Sequence, residues 1–200
     1  MIKAIIFDLW ETLGTKNVGV SKLLQEKFNI PKTDNYGRKY EEAVQLKPWE
    51  TEDQMAKNFL SEFGIEQSLE NIEFIVGVFK QGIVKATLFG GMRELLVDLK
   101  HKGLKIGLLS NTTIFESVVL ENLEIRDLFD AIVFSWHKGN LKPSQDAFKH
   151  ILDELGVSEG EVIFIDDGKK NIESAKALGI QAILFEDIEI LKKRIGELGV

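Results

Sequence analysis

The sequence predicts an α/β protein in which a doubly wound, Rossmann-like parallel sheet carries an inserted small α-helical cap domain. Short apolar runs alternate with amphipathic helical patterns along most of the 200 residues. These runs lack the in–out alternation of a half-exposed strand, which is typical of a parallel sheet covered by helices on both faces. One long stretch near the start carries helical patterns alone, which indicates an insertion.

Five segments have the pattern of buried strands: Ala4–Phe7, Lys105–Leu109, Ala131–Phe134, Val162–Ile165 and Gln181–Phe185. Helical patterns follow them at Met92–Lys100, Phe115–Leu123, Ser144–Leu155, Asn171–Leu178 and Ile188–Leu198. Ser144 has the chemistry of a helix N-cap, and Gly156 and Gly179 stand where helices end. We expect right-handed crossovers between the strands.

The inserted stretch holds four helical patterns and no convincing strand: Ser21–Phe28, Tyr36–Gln45, Glu52–Phe63 and Leu69–Thr87. We therefore assign residues 1–14 and 89–200 to the core and residues 15–88 to a helical cap. An insertion after the first strand stands over the carboxyl edge of the sheet, which is where open α/β sheets bind ligands.

Composition narrows the classes of partner. Asp and Glu total 32 against 25 Lys and Arg, a net charge of −7. An acidic chain is a poor match for nucleic acid or for an anionic membrane, and no apolar run approaches the length of a membrane span. With no cysteine, disulfides and thiolate sites are excluded. The apolar run at Met1–Phe7 is too short for a signal-peptide core, so we expect a cytoplasmic protein. Its oligomeric state is left open.

Polar side chains follow four of the predicted strands, and the carboxyl ends of parallel strands meet at one edge. They are Asp8, Ser110-Asn111, Lys142-Pro143 and Asp166-Asp167. Two carboxylates about 4 Å apart repel by ~4 kcal/mol at an effective dielectric near 20. The three aspartates therefore need a counter-charge, which Lys142 and a hard dication such as Mg²⁺ supply together.

This set of groups makes physical sense as a metal-assisted site for a phosphoryl group. Asp8 is the candidate nucleophile at phosphorus, and the cation screens it from an anionic substrate. Lys142, Ser110 and backbone N–H groups near Asn111 are placed to hold the phosphoryl oxygens. A small phosphorylated metabolite is the expected partner.

The order of these motifs resembles the haloacid dehalogenase-like hydrolase superfamily over essentially the whole chain. The motifs are Phe7-Asp8-Leu9 with Thr12-Leu13, then Ser110-Asn111, then Lys142-Pro143, then Phe164-Ile165-Asp166-Asp167 with Asn171. The helical stretch is similar to the first type of cap in that family. The resemblance implies a Rossmann-like core and a hydrolase, most commonly a Mg²⁺-dependent phosphatase.

The resemblance also implies a role for each matching position. Asp8 matches the nucleophile that forms an aspartyl-phosphate, and Lys142 the lysine that neutralises it. The substrate-binding residues implied are Ser110, Asn111 and Thr12. The metal ligands implied are Asp8, Asp166, Asp167 and the backbone carbonyl of Trp10. Since neighbouring residues at a strand end point opposite ways, we favour Asp167 over Asp166 as a direct ligand.

Trp10 is a departure from the phosphatase pattern, which has an Asp two residues after the nucleophile. That Asp protonates the leaving alcohol and later activates water, and indole can do neither. Losing such help costs roughly 10²–10⁴ in rate, so we expect slow turnover that depends on the leaving group. Glu11 and His137 are nearby titratable groups, although the offset of Glu11 by one residue disfavours it.

Two alternatives stay open at this stage. In the metal-independent 2-haloacid dehalogenase branch of the family, the position of Trp10 is aromatic and an Arg near the start of the cap binds halide. Arg38 is the only candidate for that arginine, but the Asp166-Asp167 pair argues against a metal-free site. The second alternative is a non-catalytic protein that binds a phosphorylated ligand, which Trp10 favours and the intact Asp8 and Lys142 oppose.

Overall fold

The computed structural model describes residues 1–199 and contains a parallel sheet of five strands. The sheet strands are β1 (Ala4–Phe7), β4 (Lys105–Ser110), β5 (Ala131–Phe134), β6 (Val162–Asp166) and β7 (Gln181–Leu184). Their spatial order is β5-β4-β1-β6-β7, so β1 lies at the centre between β4 and β6. The predicted α/β fold class is thereby confirmed.

Helices cover both faces of the sheet. They are α5 (Met92–His101), α6 (Val119–Asn122), α7 (Ser135–Lys138), α8 (Gln145–Leu155), α9 (Lys169–Ala177) and α10 (Ile188–Glu197). Alternate residues of β1 enter opposite faces: Ile5 and Phe7 pack with α5 and α10, whereas Ala4 and Ile6 pack with α8 and α9. Every residue of β1 is buried, which explains its continuous apolar sequence.

The segment between β1 and α5 forms four helices with an apolar cluster of their own. They are α1 (Val20–Lys27), α2 (Tyr36–Gln45), α3 (Glu52–Glu62) and α4 (Leu69–Lys85). Phe59 and Phe79 are fully buried in this cluster, and Thr51 and Ser68 cap the helices that follow them. A separate cluster supports the division into core and cap, which stays our proposal.

A short antiparallel ribbon joins the helical segment to the sheet. It consists of β2 (Gly14–Thr15) and β3 (Thr87–Leu88), and it lies where the predicted boundaries of the cap fall. A Cβ atom on Gly14 would lie 2.3 Å from the carbonyl oxygen of Thr87, so the close approach of the two strands requires glycine here. The prediction of helix through Thr87 was wrong, because two paired residues are too few to show alternation.

Other differences from the sequence prediction are local. The single helix expected over Phe115–Leu123 is a 3₁₀ turn (Phe115–Val118) followed by α6. The short helix α7 follows β5 directly, at residues for which the sequence predicted no helix. Two further 3₁₀ turns cover Arg126–Leu128 and Glu159–Glu161. Ser144 caps α8 by accepting from the N–H of Ala147, as predicted, and Gly156 ends that helix in the left-handed conformation.

Within residues 1–199, no helix combines the length and the apolar composition that crossing a bilayer requires.

Phe148 links α8 to the sheet beneath the edge at which the predicted site residues meet. It is fully buried, and its ring meets that of Phe164 edge-on, with the centroids 5.0 Å apart. We expect Phe148→Ala to lower the free energy of unfolding by about 3–5 kcal/mol, because it leaves a cavity in a close-packed face. Chemical denaturation measures this change. The neighbouring exposed variant Lys149→Ala is the control and should change stability by about 0.5 kcal/mol or less.

Candidate active site

The carboxyl edge of the sheet holds a buried lysine between two aspartates. Lys142 Nζ lies 2.6 Å from Asp8 Oδ1 and 2.6 Å from Asp166 Oδ2. The exposed fractions of these residues are 3% for Lys142, 6% for Asp8 and 0% for Asp166. The ammonium therefore neutralises part of a doubly negative pair that water reaches poorly.

Strand pairing positions the two aspartates. Asp8 follows the central strand β1, and Asp166 ends the adjacent strand β6. The second oxygen of Asp166 accepts from the backbone N–H of Gly168 at 2.7 Å and from the amide of Asn171 at 2.9 Å. With both oxygens engaged, Asp166 is fixed in place and in turn fixes Lys142.

Asp167 completes a group of three carboxylates that suits a metal ion. Asp8, Asp166 and Asp167 each offer one oxygen, and these atoms lie within 4.8 Å of one another. Asp167 is the exposed member, and its backbone N–H donates to Thr12 Oγ1 at 3.1 Å. A set of hard oxygen ligands on one side of an open cavity fits Mg²⁺, which keeps several waters.

Burial and mutual repulsion shift the proton affinities of these groups. Burial raises the pKa of Asp8 to about 7, with Lys142 opposing and Asp166 adding to the rise. Burial and the neighbouring Asp166 likewise raise the pKa of Asp167 to about 6. Burial works to lower the pKa of Lys142, but the two aspartates outweigh it and raise that pKa. The carboxylates thus retain uncompensated negative charge, which a dication would relieve.

Ser110 and Asn111 end strand β4 on the other side of β1. The Ser110 hydroxyl is buried and has no hydrogen-bond partner among residues 1–199. Asn111 is locked to Lys142: its Oδ1 accepts from the Lys142 N–H at 2.9 Å, and its Nδ2 donates to the Lys142 carbonyl at 3.2 Å. Asn111 therefore fixes the loop that carries the ammonium, and Ser110 keeps an unused donor.

Trp10 is anchored by a buried polar network. Its indole N–H donates to Thr112 Oγ1 at 3.1 Å, and that hydroxyl donates to Glu116 at 3.1 Å. Glu116 is fully buried and forms an ion pair with Lys16, whose ammonium lies 4.6 Å from the centre of the indole ring. The indole is thus fixed as one wall of the cavity.

The two titratable residues singled out as substitutes for an acid differ in position. Glu11 lines the cavity, has a left-handed backbone (φ 58°), and accepts from the Thr15 hydroxyl at 2.7 Å. His137 packs against Trp136 with ring centroids 4.2 Å apart, and it does not line the cavity above Asp8. The geometry gives no support to His137.

A cavity of about 490 Å³ lies above Asp8, between the sheet edge and helices α1 and α2. The sheet edge contributes Asp8, Asn111, Lys142 and Asp167 to it, and α2 contributes Tyr40, Glu41 and Gln45. Its volume lies within the usual range for small-molecule sites, roughly 300–1,000 Å³.

Residues 2–179 match the family model of the haloacid dehalogenase-like hydrolases. The chain belongs to this family. The resemblance inferred from the motifs is confirmed, and the protein is a hydrolase.

Curated relatives of this haloacid dehalogenase-like hydrolase carry the names of phosphatases and of other hydrolases. It is 29% identical over 186 residues to a phosphorylated carbohydrates phosphatase of Thermotoga maritima, which covers 91% of this chain and 84% of that protein. It is 26% identical over 149 residues to a flavin mononucleotide hydrolase of Arabidopsis thaliana, covering 74% of this chain and 58% of the relative. The phosphoglycolate phosphatase of Escherichia coli is 30% identical over 97 residues, 48% of this chain and 38% of that protein.

Solved structures share its fold. A HAD family enzyme from Bacteroides thetaiotaomicron, in complex with magnesium and inorganic phosphate, has a TM-score of 0.69 at 22% identity and covers 96% of this chain and 99% of its own. An L-2-haloacid dehalogenase from Xanthobacter autotrophicus has a TM-score of 0.65 at 20% identity, covering 98% and 83%. At these identities the likeness shows a common fold.

The structure brings together the residues that the sequence singled out. Asp8, Lys142, Asp166 and Asp167 meet at one edge, with Ser110 and Asn111 beside them. Thr12 is fully buried and accepts from the Asp167 N–H, which makes it a support for that loop. Their catalytic, substrate-binding and metal-binding roles stay predictions.

The sequence analysis missed the contributions of Glu41 and Glu116. Glu41 reaches the site from the cap, and Glu116 forms its buried ion pair below Trp10. Each is a single charge within a helical or turn pattern. The signal available in the sequence was weak, since a charge on a helix usually faces solvent.

Replacing Lys142 tests the balance of charge in the site. With a chelator present, we expect Lys142→Met to lower the free energy of unfolding by about 3–5 kcal/mol, because it leaves buried carboxylates unpaired. The exposed variant Lys138→Met should change it by about 0.5 kcal/mol or less.

The same variant should show a defined pH dependence. Without the ammonium, the pKa of Asp8 in the folded protein rises further above its value in the unfolded chain. The folded state therefore binds more protons than the unfolded state in this pH range. Its free energy of unfolding should therefore rise as the pH falls from 8 to 5, measured by denaturation at each pH. The wild-type protein is the reference, because Asp8 already has a raised pKa there. A rise no steeper in Lys142→Met than in wild type would show that Asp8 does not feel the loss of Lys142.

Proposed function

We propose that the protein is a Mg²⁺-dependent phosphatase that hydrolyses a small phosphomonoester through an aspartyl-phosphate on Asp8. The observation that carries the proposal is the buried group of Asp8, Lys142 and Asp166 with Asp167 beside it. Asp8, Lys142 and Asp167 line one cavity. A nucleophilic carboxylate, a fixed ammonium and a cluster of hard ligands are the parts that phosphoryl transfer requires.

The proposed reaction has two steps. Asp8 Oδ attacks phosphorus as the bond to the leaving alcohol breaks, which gives an aspartyl-phosphate. Water then attacks that phosphorus, and inorganic phosphate leaves as Asp8 is regenerated. Lys142 neutralises the nucleophile and the transferring group. The buried Ser110 hydroxyl has no partner in the part of the chain that the structure describes and lies beside Asn111, which lines the cavity, and it would donate to a phosphoryl oxygen.

The ligands for Mg²⁺ would be Asp8, Asp167 and the backbone carbonyl of Trp10, with Asp166 holding the pair in position. When bound, the ion neutralises charge on the phosphoryl oxygens and allows an anionic substrate to approach Asp8. Asp166 is the weaker candidate for direct ligation because Lys142, Gly168 and Asn171 already occupy its oxygens.

The comparisons support this proposal over its alternatives. The curated relatives named above are two phosphatases and a flavin mononucleotide hydrolase, and the enzyme from Bacteroides thetaiotaomicron was crystallised with magnesium and phosphate. A small phosphorylated metabolite is the proposed substrate class. Membership of a hydrolase family and the intact nucleophile favour an enzyme over a non-catalytic binding protein.

One observation favours 2-haloacid dehalogenase activity as a second candidate: the aromatic residue at Trp10 stands on a fold that a dehalogenase shares. The cluster of three carboxylates is an unexplained cost in a metal-free site, however. Arg38, the candidate for halide binding, is engaged by Glu42 at 2.8 Å and by the carbonyl of Lys142 at 3.1 Å. Phosphatase activity is therefore the better-supported proposal.

The decisive experiment measures release of p-nitrophenol from p-nitrophenyl phosphate with and without Mg²⁺. We expect activity that requires the ion and that falls by roughly 10³-fold or more in Asp8→Asn, because the nucleophile is lost. The exposed variant Asp98→Asn is the matched control and should keep full activity.

Activity that survives both chelation and Asp8→Asn would contradict the assignment. Halide release from a 2-halocarboxylate in the presence of chelator, without phosphatase activity, would establish the dehalogenase alternative.

Ser110→Ala tests the phosphate-binding role of the hydroxyl. Because Ser110 Oγ has no partner in the protein, its removal should leave the melting temperature unchanged or slightly higher. It should raise the inhibition constant of inorganic phosphate about tenfold or more, since a hydrogen bond to a charged group is lost. A drop in melting temperature with unchanged phosphate inhibition would assign Ser110 a structural role instead.

A further inference from the structure

Hydrolysis of a phosphomonoester needs a proton for the leaving alcohol, and Trp10 stands where the family places the residue that supplies it. Indole cannot donate a proton to an alkoxide under ordinary conditions. The hydrogen bond from the indole N–H to Thr112 holds the Trp10 ring in its position on the cavity wall. A replacement acid must therefore be another titratable group that borders the cavity.

Glu41 borders the cavity from the cap, whereas Asp8 borders it from the sheet edge. It lies on α2, is half-buried, and lines the same cavity as Asp8 and Lys142. Its Oε1 accepts from Asn111 Nδ2 at 3.3 Å, and Asn111 is locked to the backbone of Lys142. A single chain of contacts thus fixes the Glu41 carboxyl relative to the ammonium that holds Asp8.

The direction of approach matters for an acid. Displacement at phosphorus is roughly in line, so the leaving oxygen departs on the face opposite the attacking carboxylate. Asp8 attacks from the sheet edge, and the leaving group therefore faces the cap. Helix α2 is the part of the cap that Arg38 and Glu41 attach to the loop around Lys142.

The electrostatic surroundings of Glu41 shift the pKa of its carboxyl. Burial raises the pKa of Glu41, and the charge of Asp166 raises it further. The amide of Asn111 and the charges of Arg38 and Lys142 lower this pKa. The net shift is upward. Lys16 and Lys22 are further cations that line the cavity. An acid whose pKa moves toward the working pH is a better proton donor in turnover.

We propose that Glu41 is the general acid that protonates the leaving alcohol, a further catalytic residue of the proposed phosphatase reaction and one that rests on that proposed function. In the first step the Asp8–phosphorus bond forms, the bond to the leaving oxygen breaks, and the proton of Glu41 passes to that oxygen. In the second step the Glu41 carboxylate takes a proton from the water that attacks the aspartyl-phosphate, which releases phosphate and restores both residues.

Glu11 is the rival carboxyl on the cavity wall. It lies on the loop that carries the nucleophile, one residue beyond the position of the family's acid. Its carboxylate is held by the Thr15 hydroxyl at 2.7 Å, which engages it outside the contacts that fix Lys142. Glu11 therefore supplies the matched control for Glu41.

The test compares kcat/KM for three aryl phosphates of similar size whose leaving groups differ: phenyl, p-nitrophenyl and 2,4-dinitrophenyl phosphate. Phenolate leaves poorly without a proton, whereas dinitrophenolate needs none. We expect Glu41→Gln to lower kcat/KM for phenyl phosphate roughly 10²-fold or more. The factor by which it lowers kcat/KM for 2,4-dinitrophenyl phosphate should be at least ten times smaller. Gln keeps the acceptor for Asn111, so the docking of α2 is preserved.

Two further variants complete the experiment. Glu11→Gln should change the three rates by the same factor, and Glu41→Asp, which keeps a carboxyl, should recover part of the rate on phenyl phosphate. Equal losses on all three substrates in Glu41→Gln, no loss at all, or a selective loss in Glu11→Gln instead would each overturn the proposal. Should Glu41→Gln fail to fold, Glu41→Asp decides, since unchanged leaving-group dependence with uniformly lower rates would overturn the proposal.

The outcome is separable from that of the proposed function. If wild-type protein hydrolyses none of the three esters with Mg²⁺ present, the phosphatase assignment itself fails. If it hydrolyses them and Asp8→Asn abolishes the activity, the assignment stands, and the leaving-group dependence alone decides the role of Glu41.

Discussion

The pairing of Lys142 with Asp8 and Asp166 is the constraint on which the rest of the site depends. Burying one ammonium and two carboxylates is costly unless each charge is paired and each oxygen has a donor. The ends of β1 and β6 position the two carboxylates, Asp8 and Asp166. Asn111 positions the ammonium of Lys142 by binding the backbone of its loop. Burial raises the pKa of Asp8, and the neighbouring charge of Asp166 adds to the rise. The net negative charge that remains at this edge is what a bound dication would relieve.

Much of this arrangement could be predicted from the sequence. Buried parallel strands have continuous apolar patterns, so the positions of β1, β4, β5 and β6 were predicted within a residue, and their polar ends had to meet. The order of the motifs then indicated the family. Lys142 was predictable only with the help of that order, because a lysine in a loop is ordinarily a surface residue.

What the sequence could not show depends on contacts between distant segments. The ribbon between β2 and β3 is too short for any periodic signal, and α7 is a single turn. The contact of Glu41 with Asn111 depends on which face of α2 lies toward the sheet edge. The pattern at Tyr36–Gln45 predicts a helix but not its orientation. Similarly, the burial of Glu116 depends on Lys16, which is 100 residues away in the chain.

The narrow ribbon has an evolutionary meaning. The chain enters the helical segment through β2 and leaves it through β3, where Thr15 pairs with Thr87, so the two ends of that segment are already adjacent. A segment attached in this way can be lengthened, shortened or exchanged without breaking the hydrogen-bond ladder of the parallel strands, since loop closure adds little free energy once the ends are held together. Selection can therefore alter which molecules are accepted in one part of the chain while the reactive groups are inherited unchanged in another.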